Sequence, residues 1–121
     1  MPSSQIERKL AAIMFTDIAG YTALSAKDST KSSELLKTQR DTLKPIVEKY
    51  GGSWMKEMGD GLLLTFDSAT GAVECSIAIQ EATKEIEYLN LRIGIHEGEV
   101  IMQDGDVIGD DVNVASRIEP F

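Results

Sequence analysis

Residues 53–66 read SWMKEMGDGLLLTF, and the middle of that stretch decides the fold. Gly59, Asp60 and Gly61 separate two short strand-like pieces, and an Asp-Gly step tolerates the positive φ that a tight hairpin turn requires. Strands joined by a hairpin run antiparallel. A doubly wound parallel sheet, which alternating strands and helices would otherwise suggest, is therefore disfavoured.

Upstream, residues 9–16 (KLAAIMFT) form an apolar run that reads as a central strand, and the polar stretch 19–34 leads into a helix. Leu36, Leu43, Ile46, Val47 and Tyr50 recur there at helical spacing, and Gly51 and Gly52 stop the helix. Downstream, residues 68–86 (SATGAVECSIAIQEATKEI) predict a second helix. Ser68 is its N-cap, and Ala69, Ala72, Val73, Ser76 and Ile77 share one face. Residues 91–107 (LRIGIHEGEVIMQDGDV) predict a strand, an interruption at Gly98, and a further strand ending near 104–106. The tail 109–121 (GDDVNVASRIEPF) starts another helix in which Val112, Ala115 and Ser116 can pack. Asn113 and Arg117 lie i, i+4 on one face of it, and Pro120 ends it. The order strand, helix, strand, strand, helix, strand is the α+β, ferredoxin-like split βαβ arrangement, an antiparallel sheet with two helices on one face.

The chain has 121 residues, 42% of them apolar, and reads as one domain over 1–121 with a core of its own. Lys and Arg number 12 against 20 for Asp and Glu, a net charge of -8, which argues against nucleic acid and anionic membrane as partners. An anionic ligand would need a cation as escort or a local basic cluster. Cys75 is the single cysteine, so no disulfide framework exists, and a buried thiol in a reducing cytoplasm fits. The N-terminus lacks a secretory signal, and no stretch approaches the ~18 apolar residues of a spanning helix; a cytoplasmic location without membrane contact is expected.

Asp17 stands at the exit of the first strand, and Asp60 sits in the hairpin turn. In a split βαβ sheet the first strand lies beside the strand leaving that hairpin, so both carboxylates can meet at one end of the sheet. Two converging hard oxygen ligands suit Mg²⁺ or Mn²⁺, whose remaining positions are filled by water and phosphate oxygens. The small residues after Asp17 lead toward a helix start, where free N–H groups can receive phosphate. Alternatively, Asp17 caps the following turn and Asp60 merely serves the hairpin. Lys56 and Asp106 read by themselves as a strand lysine and a loop carboxylate. His96, the only histidine, alternates with apolar residues along a strand and reads as a structural or interface residue rather than a metal ligand. Trp54 and Met55 read as packing or interface residues.

Four stretches together, FTDIAGYT (15–22), KEMGDGLLLTF (56–66), RIGIHEGEV (92–100) and GDVIGDDVNVASR (105–117), resemble the catalytic domain of bacterial-type class III adenylate and guanylate cyclases. The resemblance spans about residues 9–118. It implies that Asp17 and Asp60 hold two metal ions, Mg²⁺ or Mn²⁺, with the carbonyl of Ile18 completing one site. It implies that Lys56 and Asp106 select the base, an ammonium donor facing adenine N1 and a carboxylate accepting from the exocyclic amine, which suits ATP over GTP. It also assigns Asn113 to the ribose and Arg117 to charge on the α-phosphate. The active site of that family lies between two catalytic domains, so a homodimer is implied. Relatives continue past the RIEPF end with more sheet, including a lysine for the triphosphate, so the resemblance also implies a C-terminally truncated domain. Some carry a phosphate-facing arginine where Glu99 stands. The function implied is an adenylate cyclase making 3′,5′-cyclic AMP and pyrophosphate from ATP. The alternatives are a non-catalytic nucleotide-binding or regulatory dimerisation module and an inactive fragment.

Overall fold

The computed structural model describes residues 6–103 and 106–108, with side chains from 10 to 99. The elements are β1 (Ile6–Ile18), α1 (Tyr21–Lys27), α2 (Ser29–Lys49), β2 (Gly52–Met58), β3 (Gly61–Phe66), α3 (Ala69–Thr83), β4 (Leu91–Gln103) and β5 (Asp106–Ile108). The sheet order is β2-β3-β1-β4-β5, and all of these pairings are antiparallel. The split βαβ arrangement holds, extended by the short β5. The expected tail helix, with Val112, Ala115, Ser116, Asn113 and Arg117, lies outside the described residues.

β1 sits in the middle because its residues are apolar on both faces. Ala12, Met14 and Ile18 turn toward α2 and α3 and share a core with Leu62, Leu64 and Phe66 of β3. Ala11 and Ile13 turn the other way and cluster with Leu63, Phe15 and Met55. The unbroken Leu62-Leu63-Leu64 run has the same cause, since a strand buried on both faces cannot alternate with polar residues.

α2 starts where the Asp28 side chain accepts a hydrogen bond from the Lys31 N–H at 3.0 Å, which satisfies one of the orphan donors of the first turn. Its buried stripe is Ser32, Leu35, Gln39, Leu43 and Val47. The helix ends at Tyr50, and Gly51 takes φ 77°, where a side chain would be strained. Gly52 then brings the backbone against the core: a Cβ there would meet Phe66 Cε2 at 2.5 Å and Val47 Cγ1 at 2.7 Å. Both neighbours are buried and cannot retreat. Gly52→Ala should therefore cost roughly 1–3 kcal/mol of stability by overpacking, read as a lower midpoint in urea with an unchanged slope.

Three details depart from the expectation. The polar stretch after Asp17 is itself helical, forming α1 and the first turns of α2; α1 buries no residue, so no apolar period announces it. β4 passes through Gly98 without interruption, pairing it with Ala11 in a register that runs from Ile18↔Leu91 to Ile6↔Gln103. A continuous ladder to β1 outweighs the ~1 kcal/mol penalty of a strand glycine. On α3 the Ser68 cap is present, its Oγ accepting from Gly71 N at 3.0 Å. The buried face, however, is Ala72, Cys75, Ile79 and Thr83, while Val73 is 46% and Ile77 61% exposed. This helix is apolar on much of its circumference, so spacing alone does not choose between adjacent stripes.

Candidate active site

The end of β1 and the β2–β3 turn meet where the hairpin predicts. The Asp60 carboxylate accepts a hydrogen bond from the Ile18 N–H at 2.9 Å, one residue from Asp17. Strand alternation explains why that N–H is available. Ala19 N donates to Asn90 O at 2.8 Å, so residue 19 forms a hydrogen-bonded pair with the β4 side. Ile18, opposite Leu91, therefore turns its N–H and C=O to the other side, toward β3. The ladder to β3 ends at Thr16↔Leu62, and Asp60 takes over at Ile18.

Asp17 itself is held from β4. Arg92 stands opposite it in register, and its Nε and Nη2 donate to Asp17 Oδ1 and Oδ2 at 2.7 and 2.9 Å. A basic side chain is thus the partner that answers the charge of Asp17 in this structure. The pair is solvent-accessible, with side chains 53% and 36% exposed, so its net worth is below ~1 kcal/mol and a divalent cation can compete for the same oxygens. Residue-by-residue reading missed Arg92, because a partner 75 positions away becomes visible only through the register of β1 on β4.

The donor set fits a hard divalent cation. Two carboxylates and the outward-turned carbonyl of Ile18 offer oxygen only, and among the described residues no group of three or more His, Cys, Asp or Glu gathers into a closed metal cage. Mg²⁺ and Mn²⁺ suit such sparse sites because water and phosphate oxygens complete their shell. Beside this end of the sheet, Ala19, Gly20, Lys27, Lys31, Tyr88 and Asn90 contribute to a cleft of about 340 Å³. The Lys31 ammonium lies 4.4 Å from the Tyr88 ring centroid, a cation–π contact.

The remaining candidates are placed as follows. Lys56 is half-buried on β2 and pairs with Leu63 across a register shift between Trp54 and Lys56. Asp106 opens β5 and pairs through its backbone with Gln103. Asn113 and Arg117 lie outside the described residues. Glu99 is exposed on β4 opposite Leu10. His96 is half-buried opposite Ile13, consistent with a strand position and distant in register from Asp17. Cys75 is fully buried, and burial pushes its thiol up to about 11, which makes it an inert packing residue.

A cluster next to Lys56 escaped sequence reading altogether. Arg40 of α2 donates through Nε and Nη2 to both carboxylate oxygens of Glu57 at 2.8 Å each, and Trp54 Nε1 donates to the same carboxylate at 3.2 Å. The Arg40 hydrogen bond, aided by that from Trp54 against partial desolvation, holds Glu57 below the usual carboxylate range. The same bond raises the Arg40 guanidinium.

No described helix is long and apolar enough to cross a membrane. Comparison with known proteins agrees with the fold and the motifs. A Rhizobium meliloti protein provisionally named adenylate cyclase 3 is 39% identical over 98% of this chain, which spans 22% of that protein's length. The chain therefore covers about a fifth of the length of that curated relative. The crystal structure of an adenylate/guanylate cyclase/hydrolase from Silicibacter pomeroyi superposes with TM-score 0.85 at 37% identity, covering 96% of this chain and 74% of that one. That of the adenylyl cyclase CyaB from P. aeruginosa gives 0.83 at 28%, covering 93% and 72%. The family model described as the adenylate and guanylate cyclase catalytic domain matches residues 4–121. With the antiparallel split βαβ sheet and the Asp17 and Asp60 ends brought together, the chain belongs to the class III adenylate and guanylate cyclase catalytic domain family.

Proposed function

We propose that this chain is the catalytic domain of an adenylate cyclase, forming 3′,5′-cyclic AMP and pyrophosphate from ATP between two copies of itself. The observation that carries the reading is the Asp60 carboxylate seated on the Ile18 N–H at 2.9 Å, beside Asp17. Asp17, Asp60 and the Ile18 carbonyl would hold two Mg²⁺ or Mn²⁺ ions. Such ions, when bound, neutralise the triphosphate and lower the pKa of the ribose 3′-hydroxyl.

The chain's own side chains supply orientation and selectivity. Lys56 donates to adenine N1, and Asp106 accepts from the exocyclic amine. Guanine presents the opposite donor and acceptor order along that edge, so it leaves both groups mismatched. Asn113 orients the ribose. Arg117 donates to the α-phosphate oxygens while the bond from O3′ to the α-phosphorus forms and the bond to the bridging oxygen breaks, releasing pyrophosphate. In a two-fold dimer one copy gives the metal-holding carboxylates and the other gives Lys56, Asp106, Asn113 and Arg117, so two equivalent sites arise. A binding-only module has no chemical need for two carboxylates at one strand end, and their presence favours the enzyme.

The test is to incubate the chain with Mn²⁺ and either ATP or GTP and to quantify both cyclic nucleotides. Cyclic AMP should form at least about tenfold faster than cyclic GMP at low substrate, and chelation should abolish both. Preference for GTP, or turnover that survives chelation, contradicts the proposal.

A further inference from the structure

The ladder between β2 and β3 carries one extra residue. Trp54 pairs with Leu64, Lys56 with Leu63 and Glu57 with Leu62, leaving Met55 as the inserted residue of a β-bulge. Without it, Trp54 and Lys56 would lie on the same face. With it, Trp54 and Glu57 share the helix-covered face of Leu64 and Leu62, while Lys56 takes the opposite face with Leu63.

The bulge is gripped from both sides. Trp54 precedes it and Glu57 follows it, and the Glu57 carboxylate accepts from Trp54 Nε1 at 3.2 Å and from the Arg40 fork at 2.8 Å. The Lys44 ammonium, also on α2, lies 5.6 Å from the Trp54 ring centroid. Two turns of helix thus fasten the two residues that bracket the insertion. A planar, two-pronged guanidinium contact of this kind fixes direction as well as distance.

We infer that Arg40, Glu57 and Trp54 form a clamp that holds the Met55 bulge in register and so keeps Lys56 on the nucleotide-reading face, which makes base selection depend on positioning residues that do not touch the nucleotide. The inference rests on the base-reading role of Lys56 in the proposed cyclase. A bulged strand freed from its clamp can return to regular pairing, and one step of register reverses the face of every side chain between the slip and the turn.

The experiment measures kcat/KM for ATP and for GTP with Mn²⁺ in the chain, in Lys56→Ala, Arg40→Met and Glu57→Gln, and in the charge-swapped double variant Arg40→Glu with Glu57→Arg. Asp41→Asn serves as control, since it removes the exposed Lys37–Asp41 pair on the same helix and a carboxylate charge near Arg40 but leaves the Arg40 fork on Glu57 intact. Arg40→Met and Glu57→Gln should each cut the ATP-over-GTP ratio roughly tenfold, mainly through a higher KM for ATP. The double variant should regain a ratio at least about threefold above either single variant, and Asp41→Asn should keep the original ratio. Loss of the ratio in Lys56→Ala but not in Arg40→Met or Glu57→Gln overturns the clamp. An unchanged ratio in Lys56→Ala instead overturns the base-reading assignment beneath it.

Discussion

In the proposed cyclase, Asp60→Asn should lower cyclic AMP formation about a thousandfold while leaving the fold in place. Removing one anionic ligand withdraws several kcal/mol of charge stabilisation, and each 1.4 kcal/mol is about tenfold in rate. The amide oxygen of the new side chain can still accept from the Ile18 N–H, which the carboxylate now holds at 2.9 Å. Asp60→Ala removes that acceptor as well and should cost roughly 1 kcal/mol more in stability. Comparing turnover with thermal melting in the two variants separates the chemical role of the carboxylate from its structural one. A variant Asp60→Asn within tenfold of the parent would mean that the turn aspartate serves the hairpin alone.

Ile79→Ala destabilises the domain by about 2–5 kcal/mol, whereas Ile77→Ala, two residues away on the same helix, stays within ~0.5 kcal/mol. Ile79 is fully buried among the sheet residues under α3, and Ile77 is exposed. Truncating the first leaves a cavity lined by close-packed neighbours, because protein interiors relax only partly around a missing group. Truncating the second removes surface that already faces water. Denaturant unfolding of both variants checks the pair, and equal losses would restore the face that Val73 and Ile77 share.

That pair marks where sequence reading reached its limit. The hairpin at Gly59-Asp60-Gly61 was legible because a turn is local, although the positive φ of 63° falls on Gly59 and not on the Asp60-Gly61 step. The apolar run through Leu62, Leu63 and Leu64 likewise announced a strand, but its burial on both faces shows only in the folded sheet. The α3 face was only partly legible: Ala72 was placed on the buried side, but Cys75 and Ile79 compete with Val73 and Ile77 on a helix with little contrast between its sides. Long-range partners were hidden for a different reason. The approach of Asp60 to the end of β1 could be read from topology alone, but Arg92 on Asp17 and Arg40 on Glu57 depend on strand register and helix packing that no local spacing encodes. The bulge at Met55 escaped for the same cause, because an inserted residue shows itself only against its partner strand.

In the proposed cyclase, Asp17 and Asp60 grip divalent cations together at the end of β1. Backbone amide signals of the chain, recorded by NMR during titration with Mn²⁺, test it most directly, since a bound paramagnetic ion broadens nearby amides. Broadening should centre on Ile18, Ala19 and Gly61 and disappear in Asp17→Asn. Broadening centred elsewhere, or undiminished in that variant, would mean that these two carboxylates do not share a cation.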